Sequence, residues 1–322
     1  MFNWFFKWRE ERAISSLNKN TEGKFRRWFR FYQIGFFTLL AILGFTIYFN
    51  YDYWVFKLLI ANNYVFTDVL DEFYSQHILE ENRRSFHRDF DRVVISVVTD
   101  ALSSINNDRY TYLYSPQRLQ DSRERDVAAG RRVSMETLTD DTVLLFLPNI
   151  SRHTREFVQS NRVALNQYNN LVLDLRGNYG GMLSEFRRIA ELFTPQGVTI
   201  SHEETRFFLF DRTLTTRRNV FFDFENIIIL QNRRTASAAE SLILALKEHG
   251  IGNVVTVGER TFGKGIGQVT IPLTGGYAVR ATVLNVLGPT GESINIVGIY
   301  PDVWAIEGLD MIDHALEIIA EN

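Results

Sequence analysis

Residues 31–51 read FYQIGFFTLLAILGFTIYFNY, an uncharged stretch between Arg30 and Asp52. At about 1.5 Å rise per residue, roughly 20 helical residues cross a hydrocarbon core of about 30 Å. A buried globular helix is the alternative, but such a helix normally carries a polar stripe. Here only Gln33, Thr38, Thr46 and Asn50 interrupt the apolar residues, so the stretch reads as a transmembrane helix in contact with membrane lipid. Lys7, Arg9, Arg12, Lys19, Lys24, Arg26, Arg27 and Arg30 precede it against Glu10, Glu11 and Glu22, whereas Asp52, Lys57, Asp68, Asp71 and Glu72 come after it. That bias puts the basic tail, residues 1–30, in the cytoplasm and everything from residue 52 outside it. No small-x-small cleavage site succeeds the apolar run, where Phe49, Asn50, Tyr51, Asp52, Tyr53 and Trp54 stand. An uncleaved signal anchor in the cell membrane, single-pass, fits better than a removed signal peptide. The opening MFNWFFKWREER mixes aromatic and basic residues, as segments lying along a membrane surface do; an untethered tail is the alternative.

The 322 residues exceed one small domain, and 45% hydrophobic with 23% charged residues is ordinary for a chain with a sizeable core. A formal net charge of -3 gives no electrostatic reason for a nucleic-acid partner. Cysteine is absent, which excludes disulfides, thiolate metal sites and cysteine nucleophiles. His77, His87, His153, His202, His249 and His314 are scattered without metal-ligand spacing, and no cofactor is expected. The 26 Phe and 13 Tyr lie in apolar segments and belong to core and membrane.

Apolar residues at helical spacing predict two helices across residues 65–104, including Phe86, Phe90, Val93, Val94, Val97 and Val98. Residues 115–134 read as a loop or a poorly covered helix broken at Gly130, 142–147 as a strand and 154–168 as an amphipathic helix. LVLDLRGNYGG, from Leu171, then gives a strand, a glycine-rich turn and a helix running to about Phe193. Such a turn brings backbone N–H groups to a helix start, where negative charge is favoured. It lacks the glycine and lysine spacing of a phosphate loop or dinucleotide fold, and Asp174 with Arg176 is as readily a structural ion pair as a catalytic one. A second unit comes next: the strand NIIILQ at 226–231, a turn at 232–236, and a helix from about Ser237 to Glu248, stopped by Gly250. Ser237 sits among Ala236, Ala238 and Ala239, small neighbours that leave room for a substrate backbone, although serine at a helix start is also a common cap. After the strand VVTVG, Lys264 is bracketed by Gly263 and Gly265, which suits a lysine turned inward. Burial of such an amine disfavours its charge and lets it act as a base. Gln268 can orient it without adding charge.

These segments resemble the carboxyl-terminal processing, or tail-specific, proteases, whose core is similar to the Clp protease and crotonase folds. The resemblance rests on LVLDLRGNYGG, on QNRRTASAAE at 231–240, on GERTFGKGIGQ at 258–268 and on GPTGESINIVGIYPDV at 288–303, and more loosely on DRYTYLY at 108–114. It implies an α/β fold with a ββα core preceded by a helical region and one transmembrane helix. By residue it implies Ser237 as nucleophile, Lys264 as base, Gln268 as the residue that positions the lysine, and backbone N–H groups of Ala238 and of Gly180 or Gly181 as oxyanion donors. Three departures stand out. The interval from Ser237 to Lys264 is slightly longer than the family's usual one. Arg233 and Arg234 replace acidic or small residues before the Ser-Ala-Ser element, so the cleft rim is expected to prefer acidic substrate segments. The interval between Tyr114 and Thr142 is too short for the PDZ domain that many members carry there.

The domain expectation is a tail (1–30), an anchor (31–51), a helical region and loop (52–135) and a Ser-Lys peptidase core (136–322). The functional expectation is a membrane-anchored endopeptidase acting on protein or peptide substrates outside the cytoplasm. The alternatives are a catalytically silent tethered binding or regulatory relative, and a hydrolase of non-peptide esters.

Overall fold

The computed structural model describes residues 28–48, 50–68, 92–106, 108–218 and 222–321. The tail sequence up to Arg27 and the first of the two helices expected after residue 65, with Phe86 and Phe90, lie outside the described residues. Two compact units divide the chain, Met1–Trp54 and Val55–Asn322.

Within the first unit Trp28–Tyr48 is one helix, long and apolar enough to cross a membrane, with none of its most apolar stretch buried. It begins three residues before the charge-free run, because Trp28, Phe29 and Arg30 continue the same helical turn.

The second unit is mixed α/β. Its main sheet has six strands: β2 (Ser134–Thr137), β3 (Thr142–Phe146), β4 (Asn170–Asp174), β7 (Asn226–Gln231), β8 (Asn253–Gly258) and β11 (Val303–Trp304). Their order is β11-β8-β7-β4-β3-β2. All neighbouring pairs are parallel except β2 with β3. Parallel neighbours need crossovers, and helices on both sheet faces supply them, so strands buried on both faces read as unbroken apolar runs. LVLDL and NIIIL show it. Leu171, Leu173, Ile227 and Ile229 join one cluster with Phe186, Phe193, Leu242 and Leu246, while Val172, Ile228 and Leu230 join Val257 and Ala315 on the other side. Full burial of each such side chain contributes about 1.5–3 kcal/mol.

A second sheet is built from β1 (Tyr112–Tyr114), β5 (Thr199–Glu204), β6 (Arg212–Thr215), β9 (Ile266–Pro272) and β10 (Ala278–Leu287). It runs in the order β1-β10-β5-β6, with β9 also paired to β10. Because β1 hydrogen-bonds to β10 antiparallel, the segment before residue 135 is built into the same compact unit as residues 136–322.

Local sequence accounts for the helix limits. Residues 115–134 form a helix, Pro116–Gly130, started by Pro at its first position and by the Ser115 hydroxyl, which accepts from Arg118 N. The amphipathic stretch expected at 154–168 divides at Asn161 into Arg152–Ser160 and Arg162–Leu165. The helix after the first glycine-rich turn is Leu183–Ala190, shorter than the expected run to Phe193. The helix Arg92–Asn106 buries Ile95, Val98 and Leu102.

Candidate active site

Two strand-to-helix turns meet at the carboxyl ends of β4 and β7, where ligands of parallel sheets are generally bound. Leu175 N donates to the Leu230 carbonyl, and the Thr235 hydroxyl donates to the Leu175 carbonyl at 2.9 Å. Fully buried Asn178 ties the turns together. Its amide donates to the Leu147 carbonyl, its side-chain oxygen accepts from Gly180 N at 2.9 Å, and its carbonyl accepts from Ala236 N at 2.9 Å. Asp174 and Arg176 form an ion pair, with Arg176 Nη2 2.7 Å from Asp174 Oδ2.

Ser237 stands at the start of the helix Ala238–His249 with φ 58° and ψ −124°. An ordinary serine cap is extended, whereas a left-handed, non-glycine residue carries strain that the surroundings must hold, and such strain gathers at functional sites. Gly180, at φ +95°, is the neighbour that makes room: a Cβ there would lie 2.7 Å from the Ala236 carbonyl oxygen and 2.8 Å from the Ser237 Cβ. Gly180→Ala is therefore expected to destabilise the core by about 1–3 kcal/mol, measured as a lowered thermal midpoint.

Glu240 holds the strain. One turn into the helix and completely buried, its carboxylate accepts from Ser237 N (2.7 Å), Thr261 Oγ1 (2.5 Å), Gly263 N (2.8 Å) and Lys264 N (2.9 Å). One side chain thus grips the backbone of the expected nucleophile and the backbone of the expected base. The spacing Ser-x-x-Glu at a helix start is a capping-box signature that sequence reasoning missed. Its second pair of bonds, across to the Lys264 loop, has no local signal. Gly263, at φ +86°, explains the bracketing glycine: a Cβ there would lie 2.8 Å from Gly298 N.

The Lys264 side chain is half-buried, and its Nζ lies 4.4 Å from the centroid of the Tyr110 ring. Burial first, and then the positive charge of Arg280, push its pKa down from 10.5 to about 8, against Asp108 and Glu240, which raise it. Burial likewise raises the Tyr110 phenol. Asp108 fixes the DRYT segment under the lysine, accepting from Tyr64 Oη (2.9 Å), Thr111 Oγ1 (2.7 Å), Thr282 Oγ1 (3.2 Å) and Tyr110 N (3.1 Å).

Gln268 departs from expectation. Its Oε1 accepts from Arg280 Nη2 at 3.2 Å and its Nε2 donates to the Ile266 carbonyl, so the amide is turned to a guanidinium and not to the amine of Lys264. The physical reason is competition: Arg280 projects from β10, and β9 runs antiparallel beside it, carrying Gln268 opposite Thr282. Arg280 also donates to Tyr114 Oη at 3.2 Å. Tyr110 and Arg280 were not legible as neighbours of Lys264, since residues 108–114 and β10 lie far apart in sequence.

Of the two glycines named for the oxyanion, Gly180 has its N–H committed to Asn178. Gly181 sits in a bridge to Ile150 that uses the Gly180 carbonyl and the Met182 N–H, leaving the Gly181 N–H outside the pairing. Arg233 and Arg234 are exposed on the turn before Ser237, with Arg233 Nε 3.2 Å from Glu259 Oε1. Among the described residues no group of three or more His, Asp or Glu is placed to hold a metal. A depression of about 660 Å³ lined by Asp141, Asn170, Glu225 and Asn253 lies at the opposite, amino ends of β3, β4, β7 and β8 and holds none of these groups.

The profile of Peptidase family S41 matches residues 141–305. Carboxyl-terminal-processing peptidase 3, chloroplastic, of Arabidopsis thaliana is 36% identical over 156 residues, covering 47% of this chain and 28% of the relative. The carboxyl-terminal-processing protease of Picosynechococcus sp. is 37% identical over 131 residues, covering 41% and 30%. The matched segments thus span less than a third of these relatives' own length. Among solved structures, the photosystem II D1 C-terminal processing protease superposes with a TM-score of 0.57 at 18% identity, covering 78% of this chain and 90% of that one. A lipoprotein from Streptococcus agalactiae gives 0.57 at 19%, covering 79% and 94%. At such identities the likeness establishes the fold.

Proposed function

This chain belongs to peptidase family S41, and from that membership we propose that it is a membrane-anchored serine endopeptidase in which Ser237 is the nucleophile and Lys264 the general base. The observation that carries this reading is the single carboxylate of Glu240 holding the N–H groups of both residues, with Ser237 in a left-handed conformation.

Neutral Lys264 takes the Ser237 hydroxyl proton as Oγ attacks a substrate peptide carbonyl. The oxyanion that forms is received by the N–H groups of Ala238 and Gly181, the Gly180 N–H being committed to Asn178; each such donor lowers the barrier by about 3–4 kcal/mol. Collapse expels the amine, which takes the proton from Lys264. Water, deprotonated by the same amine, then hydrolyses the acyl-enzyme. No step calls on a metal or cofactor. Arg233 and Arg234 lie where acidic substrate segments would pass.

The proposed anchor is residues 31–51, a reading supported by the apolar helix Trp28–Tyr48, with the basic tail 1–30 cytoplasmic, the region 52–135 and the core 136–322 extracytoplasmic, and proteins or peptides on that side as substrates. The Gln268–Arg280 bond is the one observation that favours the silent relative, because it leaves Lys264 without its expected partner.

Full-length chain in detergent micelles, given an unfolded protein, is expected to cleave it, and Ser237→Ala is expected not to. Equal residual cleavage by both would remove the assignment. The rate is expected to climb with pH and level off above about 8, where the Lys264 amine is neutral; a profile flat from pH 6 to 10, sampled about every half unit, would exclude Lys264 as base.

A further inference from the structure

The connection between β5 and β6 ends in the sequence RFFLFDR, and its tip carries four consecutive large apolar side chains exposed to solvent. Phe207, Phe208, Leu209 and Phe210 are 45%, 79%, 77% and 62% exposed. Soluble surfaces tolerate scattered apolar residues, but a contiguous patch marks an interaction site. The tip is not a slack loop. Phe210 N donates to the Phe207 carbonyl, Asp211 N to the Phe208 carbonyl, and Thr205 closes the neck, its N donating to Asp211 Oδ1 at 2.7 Å and its Oγ1 to the Phe207 carbonyl at 2.7 Å. A short 3-10 turn, Phe208–Phe210, therefore presents the side chains outward on a fixed scaffold.

We propose that this tip inserts into the interfacial layer of the membrane that holds the chain's anchor. The proposal rests on the anchored reading above. Two observations choose a bilayer over another protein. Exposed Arg206 and Arg212 flank the apolar residues, cations at the level of lipid phosphates when the rings lie among the acyl chains, while Asp211 is turned inward to Thr205 and Glu204 stays at the neck. The apolar span ends at Tyr48, and the second unit begins at Val55, so an inserted span tethers that unit within a few residues of the lipid surface. Phe and Leu beside Arg is the composition of segments that lie in the interface. A protease core seated by an anchor and a second insertion acts on substrates close to the membrane plane.

The chain has no cysteine, so one introduced thiol is a unique label site. Full-length Leu209→Cys, in a Ser237→Ala background so that hydrolysis plays no part, is labelled with an environment-sensitive fluorophore. It is reconstituted into vesicles of phosphatidylcholine and phosphatidylglycerol bearing doxyl-labelled acyl chains. Val163→Cys, at a position 71% exposed, is the control. The expected result is a blue-shifted emission at 209, quenched about twofold or more by the doxyl lipids, with the label at 163 unaffected. Three outcomes overturn the proposal. If the chain floats with vesicles and both labels are quenched equally little, the tip is outside the bilayer while the anchor stands. If 209 responds only to added unfolded polypeptide, the tip is a protein-docking surface. If the chain does not float at all, anchor and tip fall together.

Discussion

Lys264→Met is expected to abolish peptide-bond hydrolysis while making the folded protein more stable at neutral pH. Removing a nucleophile or its base from a serine hydrolase costs about four to six orders of magnitude in kcat, since the remaining groups still bind and polarise substrate. The stability change has the opposite sign because burial disfavours the charged amine. Its pKa is about 8 in the folded chain and near its ordinary 10.5 when unfolded, burial being the first cause. Between those values the unfolded chain binds a proton that the folded chain does not, so folding becomes more favourable as pH rises through that window. Below pH 8 both states are charged, and the folded state bears the whole cost. Methionine of similar length removes it. The gain is about 1–3 kcal/mol below pH 8, discounted because the side chain is only half-buried, and it shrinks to nothing above about pH 10.5. Denaturant titrations of both proteins at pH 7 and pH 10.5 measure it. A Met variant less stable than wild type at pH 7 would show that the amine is held by favourable contacts and not by burial.

The parts of this molecule that sequence made legible are those whose signal is local. NIIILQ announces β7 because both faces of a parallel strand are apolar, and the 226–231 limits agree with the structure. The turn and helix after it, with Ser237 at their junction, arise from the same few residues. Capping made the boundaries of the helix Pro116–Gly130 readable only in retrospect, since its mean composition is polar and the Ser115-Pro116 start carries the information. What stayed hidden depends on pairings between distant strands. Sequence pairs Gln268 with Lys264 because the two are close along the chain and the family pattern joins them. Across the sheet, however, Arg280 of β10 reaches the same amide, and a charged donor in partly buried surroundings is the stronger partner. Tyr110 beneath Lys264 likewise depends on Asp108 being locked to Thr282 of β10. The Ser-x-x-Glu spacing was visible, but local reasoning stops at the cap and cannot see the bonds Glu240 makes to Gly263 and Lys264.

Glu240→Gln is expected to keep the fold and lose catalysis, separating the two jobs of that carboxylate. In the native chain both oxygens accept: Oε1 takes the Thr261 hydroxyl and Gly263 N, and Oε2 takes Ser237 N and Lys264 N. A glutamine keeps one acceptor. Whichever way the amide turns, its NH2 faces two donors. Thr261 can rotate its hydroxyl to accept instead, but a backbone N–H cannot, so the less costly arrangement keeps the oxygen at Ser237 N and Lys264 N, turns the NH2 to Thr261 and leaves Gly263 N facing a donor. One buried donor without an acceptor costs about 1–3 kcal/mol, within reach of a core this size. The loss falls on the Gly263 backbone next to Lys264, and a neutral amide oxygen holds Ser237 N and Lys264 N more weakly than the carboxylate does. Relaxation of Ser237 toward an ordinary extended cap moves Oγ from the position proposed for attack, and misplacement of about 1 Å costs roughly 100-fold in rate. The expected reading is kcat lowered by two to three orders of magnitude, KM nearly unchanged because no substrate contact is removed, and a native circular dichroism spectrum with a reduced thermal midpoint. Because the negative charge of Glu240 raises the pKa of Lys264, the pH at which the residual rate levels off should also fall below 8. Destabilisation alone does not move that midpoint. A variant with wild-type kcat would mean that the nucleophile and base keep their alignment without the shared carboxylate, and the geometric basis for pairing them would be gone.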